Sequence, residues 1–169
     1  GKGNIHFREE DLLRDLARRG EQPFEALRDA LRSTQPLMDL ASGTSFARER
    51  PQVVLDRMAL IDLAEGFLAH PVDAAAAQRA TALLGELARR PIPTELPEPV
   101  RRALLGERFD ALVALTRTRR NLAFQIYEAL GDAQQKQQMF SALMIGLMDS
   151  GMKPAEIDAL LRPYLAGPT

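Results

Sequence analysis

Apolar residues recur along most of the chain at the spacing of one face of an α-helix, and prolines and glycines fall between these stretches. The most extensive pattern covers residues 107–150, where two helices are predicted on either side of Gly131 and Asp132. A glycine there can adopt the left-handed conformation that ends a helix, and an aspartate can cap the amides of the next helix. Because so short a connection makes two helices antiparallel neighbours, the pattern predicts a helical hairpin at 107–150.

Shorter apolar patterns on both sides of the hairpin predict the remaining helices. Their predicted starts are Phe7, Pro23, Pro51, Ala74 (after a cap at Asp73), Val100 and Pro154, and Pro36 is predicted to begin only a short turn that runs to Leu40. No stretch alternates apolar and polar positions with the β-branched residues typical of a strand. We therefore predict an all-α fold, an irregular bundle of six to eight helices built around the hairpin at 107–150.

Four prolines fall within residues 91–99. Proline fixes φ and lacks an amide donor, so this segment is predicted to be extended and semi-rigid. It is either a linker between two domains or a strap that crosses the bundle with Ile92 and Leu96 packed against it. We favour the strap, because each half of the chain would be small for a stable core of its own. The prediction is a single helical domain over residues 1–169.

The composition and net charge of the chain argue against several classes of function. Apolar residues make up 46% of the chain and charged residues 27%, which is ordinary for a folded globular protein. The net charge of -1 gives no general attraction to nucleic acid or anionic membranes. The absence of cysteine excludes disulfides, thiolate metal sites and a thiol nucleophile. The longest uncharged apolar run, residues 137–148, is too short to span a bilayer, so no transmembrane segment is predicted.

The abundance of alanine, and of arginine over lysine, is typical of a GC-rich bacterial genome. The sequence does not specify a compartment: it is compatible with a bacterial cytoplasm or, if a leader before residue 1 has been removed, with a periplasm.

The sequence contains no glycine-rich phosphate-binding loop, no Gly-x-Ser-x-Gly nucleophile motif and no His-Glu-x-x-His metal motif. The only histidines, His6 and His70, lie far apart, and His70 is predicted at a helix end, where a cation is stabilised by the helix dipole. We therefore predict no catalytic residues, no metal site and no cofactor, and the sequence favours a protein that is not an enzyme.

Two arginines interrupt apolar helix faces. Arg57 lies in one such face, and Arg120 follows Thr116 and precedes Tyr127 on another. A buried, unpaired guanidinium costs several kcal/mol, so each should find an internal partner, with Glu65 the candidate for Arg57. We favour internal ion pairs for both arginines. The alternative is a small anionic-ligand site formed by Arg57, Thr116, Arg120 and Tyr127.

Methionines provide the clue to a partner. Met144, Met148 and Met152 follow one another at the end of the hairpin. Methionine most often fills irregular gaps in a core, but flexible methionine surfaces also accept other helices. Because the second arm of the hairpin is apolar on most sides, residues that the bundle leaves uncovered would form an interface. The leading hypothesis is a protein–protein interaction or adaptor module of a bacterial regulatory, secretion or envelope assembly, whose partner is another protein or a second copy.

A nucleic-acid-binding regulator is a further alternative. Seven arginines could form a basic surface: Arg89, Arg90, Arg101, Arg102, Arg117, Arg119 and Arg120. Such a surface is normally reinforced by exposed aromatic residues or a recognition helix, and the chain has only seven Phe, two Tyr and no Trp. Nucleic acid is therefore the less favoured partner.

Overall fold

The computed structural model describes residues 23–43, 48–71 and 74–165, and these residues form eight helices and no strand. In chain order the helices are α1 (Pro23–Arg32), α2 (Gln35–Ala41), α3 (Gln52–Ala69), α4 (Ala74–Arg89), α5 (Glu98–Thr118), α6 (Arg120–Ala129), α7 (Ala133–Asp149) and α8 (Pro154–Leu165). The predicted all-α bundle is confirmed. The helix predicted to start at Phe7 and the cap predicted at Asp73 lie outside the described residues.

Helix α5 is the centre of the bundle. It packs against α3 and α4 on one side and against α7 on another, and its residues 111–116 are all buried. The main hydrophobic core forms around it from the facing sides of α1, α3, α4, α6, α7 and α8. The candidate surfaces described below are formed by helices packed around α5.

The first arm of the predicted hairpin is two helices rather than one. Helix α5 begins at Glu98, well before residue 107, and includes the short helix predicted from Val100. It ends at Thr118, and α6 begins at Arg120. Between them Arg119 has φ -142° and ψ 63°, which are not helical angles. Residues before and after Arg119 therefore do not share one helical phase.

In the connection between α6 and α7, the helix cap predicted at Asp132 is confirmed. The Asp132 carboxylate accepts hydrogen bonds from the amides of Gln134 and Gln135 at 2.7 and 3.1 Å. The predicted left-handed conformation of Gly131 is wrong, because α6 instead ends on Leu130 in an extended conformation. Within the described residues, a positive φ occurs at Gly151, which follows α7 and has a φ of 88°.

Helices α5 and α7 approach each other closely at Gly146. A Cβ atom added to this glycine would lie 2.4 Å from the Cβ of Thr116 and 2.9 Å from the carbonyl oxygen of Val113. Only a residue without a side chain fits between the two helices here. This contact fixes how α7 sits on α5.

The proline-rich segment from Pro91 to Pro97 is not helical, and Pro97 and Pro99 belong to the N-terminal end of α5. Ile92 and Leu96 pack against a small second cluster of buried residues formed by Leu37, Val100 and Leu104. The organisation of residues 1–169 as a single domain stays a prediction.

Candidate functional site

Arg57 is buried where the end of α1 meets α3 and α5. Its guanidinium donates two hydrogen bonds to the carboxylate of Glu107 on α5. It also donates to the carbonyl oxygens of Ala30, Leu31 and Ser33 at 2.6, 2.5 and 2.7 Å. A guanidinium has five N–H donors, and all five are used here. Because these carbonyls lie at the C-terminal end of α1, where acceptors lack helical partners and a cation is favoured, Arg57 caps that helix.

The predicted internal ion pair of Arg57 therefore exists, but its predicted partner is wrong. Glu65 lies eight residues further along α3, which is about 12 Å along the helix axis. Glu65 instead accepts two hydrogen bonds from Arg117 of α5. Since Arg57 has no donor left for a ligand, its geometry favours a structural role.

Arg108 is a second buried guanidinium, and it lies against the end of α4. It is 3% exposed and donates one hydrogen bond to the carbonyl oxygen of Arg90. Its Nε and Nη1 atoms find no hydrogen-bond partner in the described part of the chain, and burial lowers its pKa. The Arg90 guanidinium itself lies 4.0 Å from Glu107. These side chains attach the ends of α1 and α4 to α5.

A cavity of about 600 Å³ lies at the break between α5 and α6. We call it the arginine notch, and it is lined by Thr116, Arg117, Thr118, Arg119, Arg120, Asn121, Leu122, Ser150 and Met152. It brings together three of the residues predicted from the sequence, namely Thr116, Arg120 and Met152. Arg57 and Tyr127 are not among its lining residues.

The prediction that Arg120 makes a buried ion pair is wrong. Its side chain is exposed, and its guanidinium lies 3.1 Å from the sulfur of Met152. The prediction assumed one continuous helix through Arg119, and the interruption there turns Arg120 away from the apolar face. Position in a periodic pattern predicts burial only while the helix is unbroken.

The other two arginines of the notch have different partners. Arg117 is held between Glu65 of α3 and Asp149 of α7, and its distance to the Asp149 carboxylate is 2.9 Å. Arg119 donates to the carbonyl oxygen of Thr118 at 2.7 Å. The acceptors that Arg119 and Arg120 contact, a carbonyl oxygen and a thioether sulfur, carry no charge. The notch therefore presents positive charge from these two side chains.

Thr116 and Tyr127 lie in packing contacts between helices. The Thr116 hydroxyl donates to the carbonyl oxygen of Leu112 at 2.7 Å, and its Cβ faces Gly146. Tyr127 is 5% exposed, and its ring meets that of Tyr164 edge to face at 5.3 Å. Burial raises the pKa of Tyr127. Thr116 therefore helps to attach α7 to the bundle, and Tyr127 helps to attach α8.

Exposed large apolar side chains of the described residues are concentrated on the last two helices. On α7, Met144 is 37%, Ile145 40% and Met148 59% exposed. On α8, Leu160 and Leu165 are 37% and 62% exposed. The predicted apolar surplus on the second hairpin arm is therefore left uncovered by this part of the chain.

The exposed surface of α7 is also uncharged over most of its length. From Gln134 to Met148 it is formed by Gln134, Gln137, Gln138, Ser141, Met144, Ile145 and Met148, which we call the α7 face. Lys136 is half-buried, with its ammonium group 6.0 Å from the centre of the Tyr127 ring. The first charge after the face is Asp149, which is paired with Arg117.

A second cleft contains a carboxyl group that was not predicted from the sequence. This cleft of about 580 Å³ lies beside α3 and α5, with Val54, Met58, Phe109 and Asp110 in its wall. Burial, together with the negative charges of Asp62 and Glu107, raises the pKa of Asp110 to about 6, and Arg50 offsets this only in part. In the sequence, Asp110 stands out only by its i+3 spacing from Glu107 on one helix, and this spacing does not reveal burial.

This pKa predicts a pH-dependent stability. The folded protein binds the Asp110 proton more tightly than the unfolded chain, so this stabilising contribution is lost as pH rises through about 6. We expect Asp110→Asn to raise the free energy of unfolding at neutral pH and to change it much less near the carboxyl's ordinary pKa. Urea denaturation at both pH values measures this difference, with the exposed Asp29→Asn as control. The same effect at both pH values would contradict it.

The seven arginines considered for nucleic acid do not form one free basic surface. Arg101 and Arg102 both pair with Glu98, and Arg117 pairs with two carboxylates. Arg90 is turned inward toward Glu107. Pairing of these four arginines weakens the phosphate contacts that such a surface would need.

Comparisons with known protein families, with curated proteins and with solved structures found no match. Within residues 23–43, 48–71 and 74–165, no group of three His, Asp or Glu side chains is placed to hold a metal ion. None of the helices in the same part of the chain is long and apolar enough to cross a membrane.

Proposed function

We propose that this chain is a protein–protein interaction module and that the α7 face is its contact surface. The observation that carries the proposal is the exposure of Met144, Ile145 and Met148 on a helix face without charge. The centres of protein interfaces are depleted of charged residues and enriched in methionine. Burial of such a cluster of apolar side chains by a partner removes them from water and so favours binding.

The flexibility of methionine suits this role. Its unbranched side chain and polarizable sulfur can fit an irregular partner surface at low cost. Buried residues on the opposite side of α7, including Leu143 and Leu147, anchor the helix in the main core. A helix held in the core thus presents adaptable side chains, an arrangement suited to accepting a partner surface.

Met148→Lys tests this proposal. We expect affinity capture with the tagged wild-type chain, from extracts of the organism that encodes it, to recover a stoichiometric protein partner. Lysine at position 148 would place a charge in the contact and should remove that partner. The control is Gln78→Lys, which adds the same charge at an exposed position on α4. Identical proteins recovered with all three baits, or nucleic acid in place of protein, would contradict the proposal.

A second candidate function is the binding of a small anion in the arginine notch. It is favoured by Arg119 and Arg120, whose neighbours in a cavity of about 600 Å³ are uncharged acceptors. Isothermal titration with inorganic phosphate and with succinate should show binding that Arg120→Gln weakens at least severalfold. Arg162→Gln on α8, where the arginine is exposed and paired with Asp158, should leave it unchanged. No heat of binding in the wild-type protein would exclude this candidate.

A further inference from the structure

We infer that the partner of the α7 face is a second copy of this chain, bound helix against helix. The inference rests on the proposed function, because it names the partner for that surface. It follows from the charge and the residue spacing of the α7 face.

The lack of charge on the α7 face favours contact with an identical surface. In a two-fold symmetric dimer the same surface patch occurs on both subunits, so any charge near the axis faces an identical charge. Like charges placed together in an interface cost several kcal/mol. The α7 face carries no charged side chain between Gln134 and Met148, so it can meet a copy of itself without repulsion. A surface adapted to a charged partner would instead display complementary charge.

The residue spacing of the α7 face favours the same partner. Exposed residues at 137, 141, 144 and 148 follow one another at intervals of four, three and four, the spacing of a helix-packing seam. If the two α7 helices run antiparallel and cross beside Met144 and Ile145, Ser141 of each copy lies opposite Met148 of the other. A small residue then faces a large one on both sides of the axis. In this arrangement the face would complement itself in side-chain size as well as in charge.

The size of the face indicates how strong the dimer should be. Helix α7 has 17 residues, which corresponds to a length of about 26 Å. We expect a contact confined to one helix of this length to bury less than the roughly 800 Å² per partner of a standard interface. We therefore expect a reversible dimer whose population depends on protein concentration.

Sedimentation velocity of the purified chain from low to high micromolar concentration tests this inference. The wild-type chain should shift from monomer to dimer, and the control Gln78→Lys should do the same. Met148→Lys replaces an apolar contact with a charged side chain opposite Ser141 of the other copy, at both ends of the contact, and should shift dimer formation to clearly higher concentration. Circular dichroism should show that both variants keep the helical content of the wild type, because both positions are exposed.

Disulfide trapping gives a second readout, since the chain has no cysteine of its own. Under mild oxidation, Met144→Cys should form a covalent dimer near the proposed axis, whereas Gln78→Cys should not. Trapping of both variants to the same extent would overturn the inference, since it would show random collision.

Other outcomes separate this inference from the proposed function. A monomeric wild-type chain, or a dimer that Met148→Lys does not weaken, overturns the second copy as partner. If Met148→Lys still removes a different captured protein, the interaction function stands with another partner. If Met148→Lys reduces neither self-association nor the capture of another protein, the second copy as partner and the proposed function are both rejected.

Discussion

Gly146→Ala should destabilise the protein by about 3 kcal/mol, and Gly146→Val by more, because any side chain there forces α7 away from α5. The new Cβ would lie 2.4 Å from the Thr116 Cβ and 2.8 Å from its Cγ2. It would also lie 2.9 Å from the backbone carbonyl of Val113, which cannot rotate aside. The gain of about 1 kcal/mol in helix propensity from glycine to alanine offsets only part of this cost. Urea denaturation measures the difference.

Gly106→Ala is the matched control, since it makes the same exchange in a helix. No atom lies within 4 Å of a Cβ built on Gly106, so alanine there should stabilise α5 by about 1 kcal/mol. Combining Thr116→Gly with Gly146→Ala should recover part of the loss, because it removes the clashing side chain but not the Val113 carbonyl. A Gly146→Ala variant as stable as the wild type would show that α7 can shift without losing its packing.

Arg57→Met should cost about 3–5 kcal/mol, because it leaves a buried carboxylate without its main partner. Glu107 is 6% exposed, and the carbonyl oxygens of Ala30 and Ser33 would lose the Arg57 donor in the same step, whereas that of Leu31 keeps a longer bond from Arg90. Methionine keeps much of the volume, so the loss would come from unpaired polar groups rather than from a cavity. Chemical denaturation measures it.

The double variant Arg57→Met/Glu107→Leu separates the two contributions. Removing both charges should restore part of the stability, since well-packed apolar residues can replace a buried ion pair. It should not restore all of it, because the carbonyls of Ala30 and Ser33 at the end of α1 still lack the Arg57 donor. As control, Arg162→Met breaks an exposed ion pair with Asp158 and should change stability by less than about 1 kcal/mol. A double variant equal to the wild type would show that capping of α1 contributes nothing.

Periodicity and punctuation were sufficient to predict the all-α class and the cap at Asp132. These are local properties, set within a few residues by apolar spacing and by a side chain that can bond to nearby amides. The break at Arg119 could not be predicted in this way, because neither proline nor glycine marks it. The wrong phase assigned to Arg120 followed directly from that missing signal.

The partners of buried charges depend on tertiary packing. Burial of Arg57 was predictable from its place in an apolar face, together with its need for partners. Its partner lies 50 residues away in the chain, and no local pattern connects the two positions. The arginine notch has the same origin, because residues 116–122 meet Ser150 and Met152 only when α7 packs on α5.

Hydrophobicity alone does not specify the rotation of α7 about its own axis. With apolar residues on most of its sides, several orientations would bury similar amounts of surface, and each would expose a different set of methionines. Gly146 removes this degeneracy, because only the side of the helix that lacks a side chain can lie against Thr116. The identity of the exposed residues, Met144, Ile145 and Met148, is thus selected on the opposite side of the helix. A mutation that moved the glycine by one position would be expected to exchange one exposed surface for another.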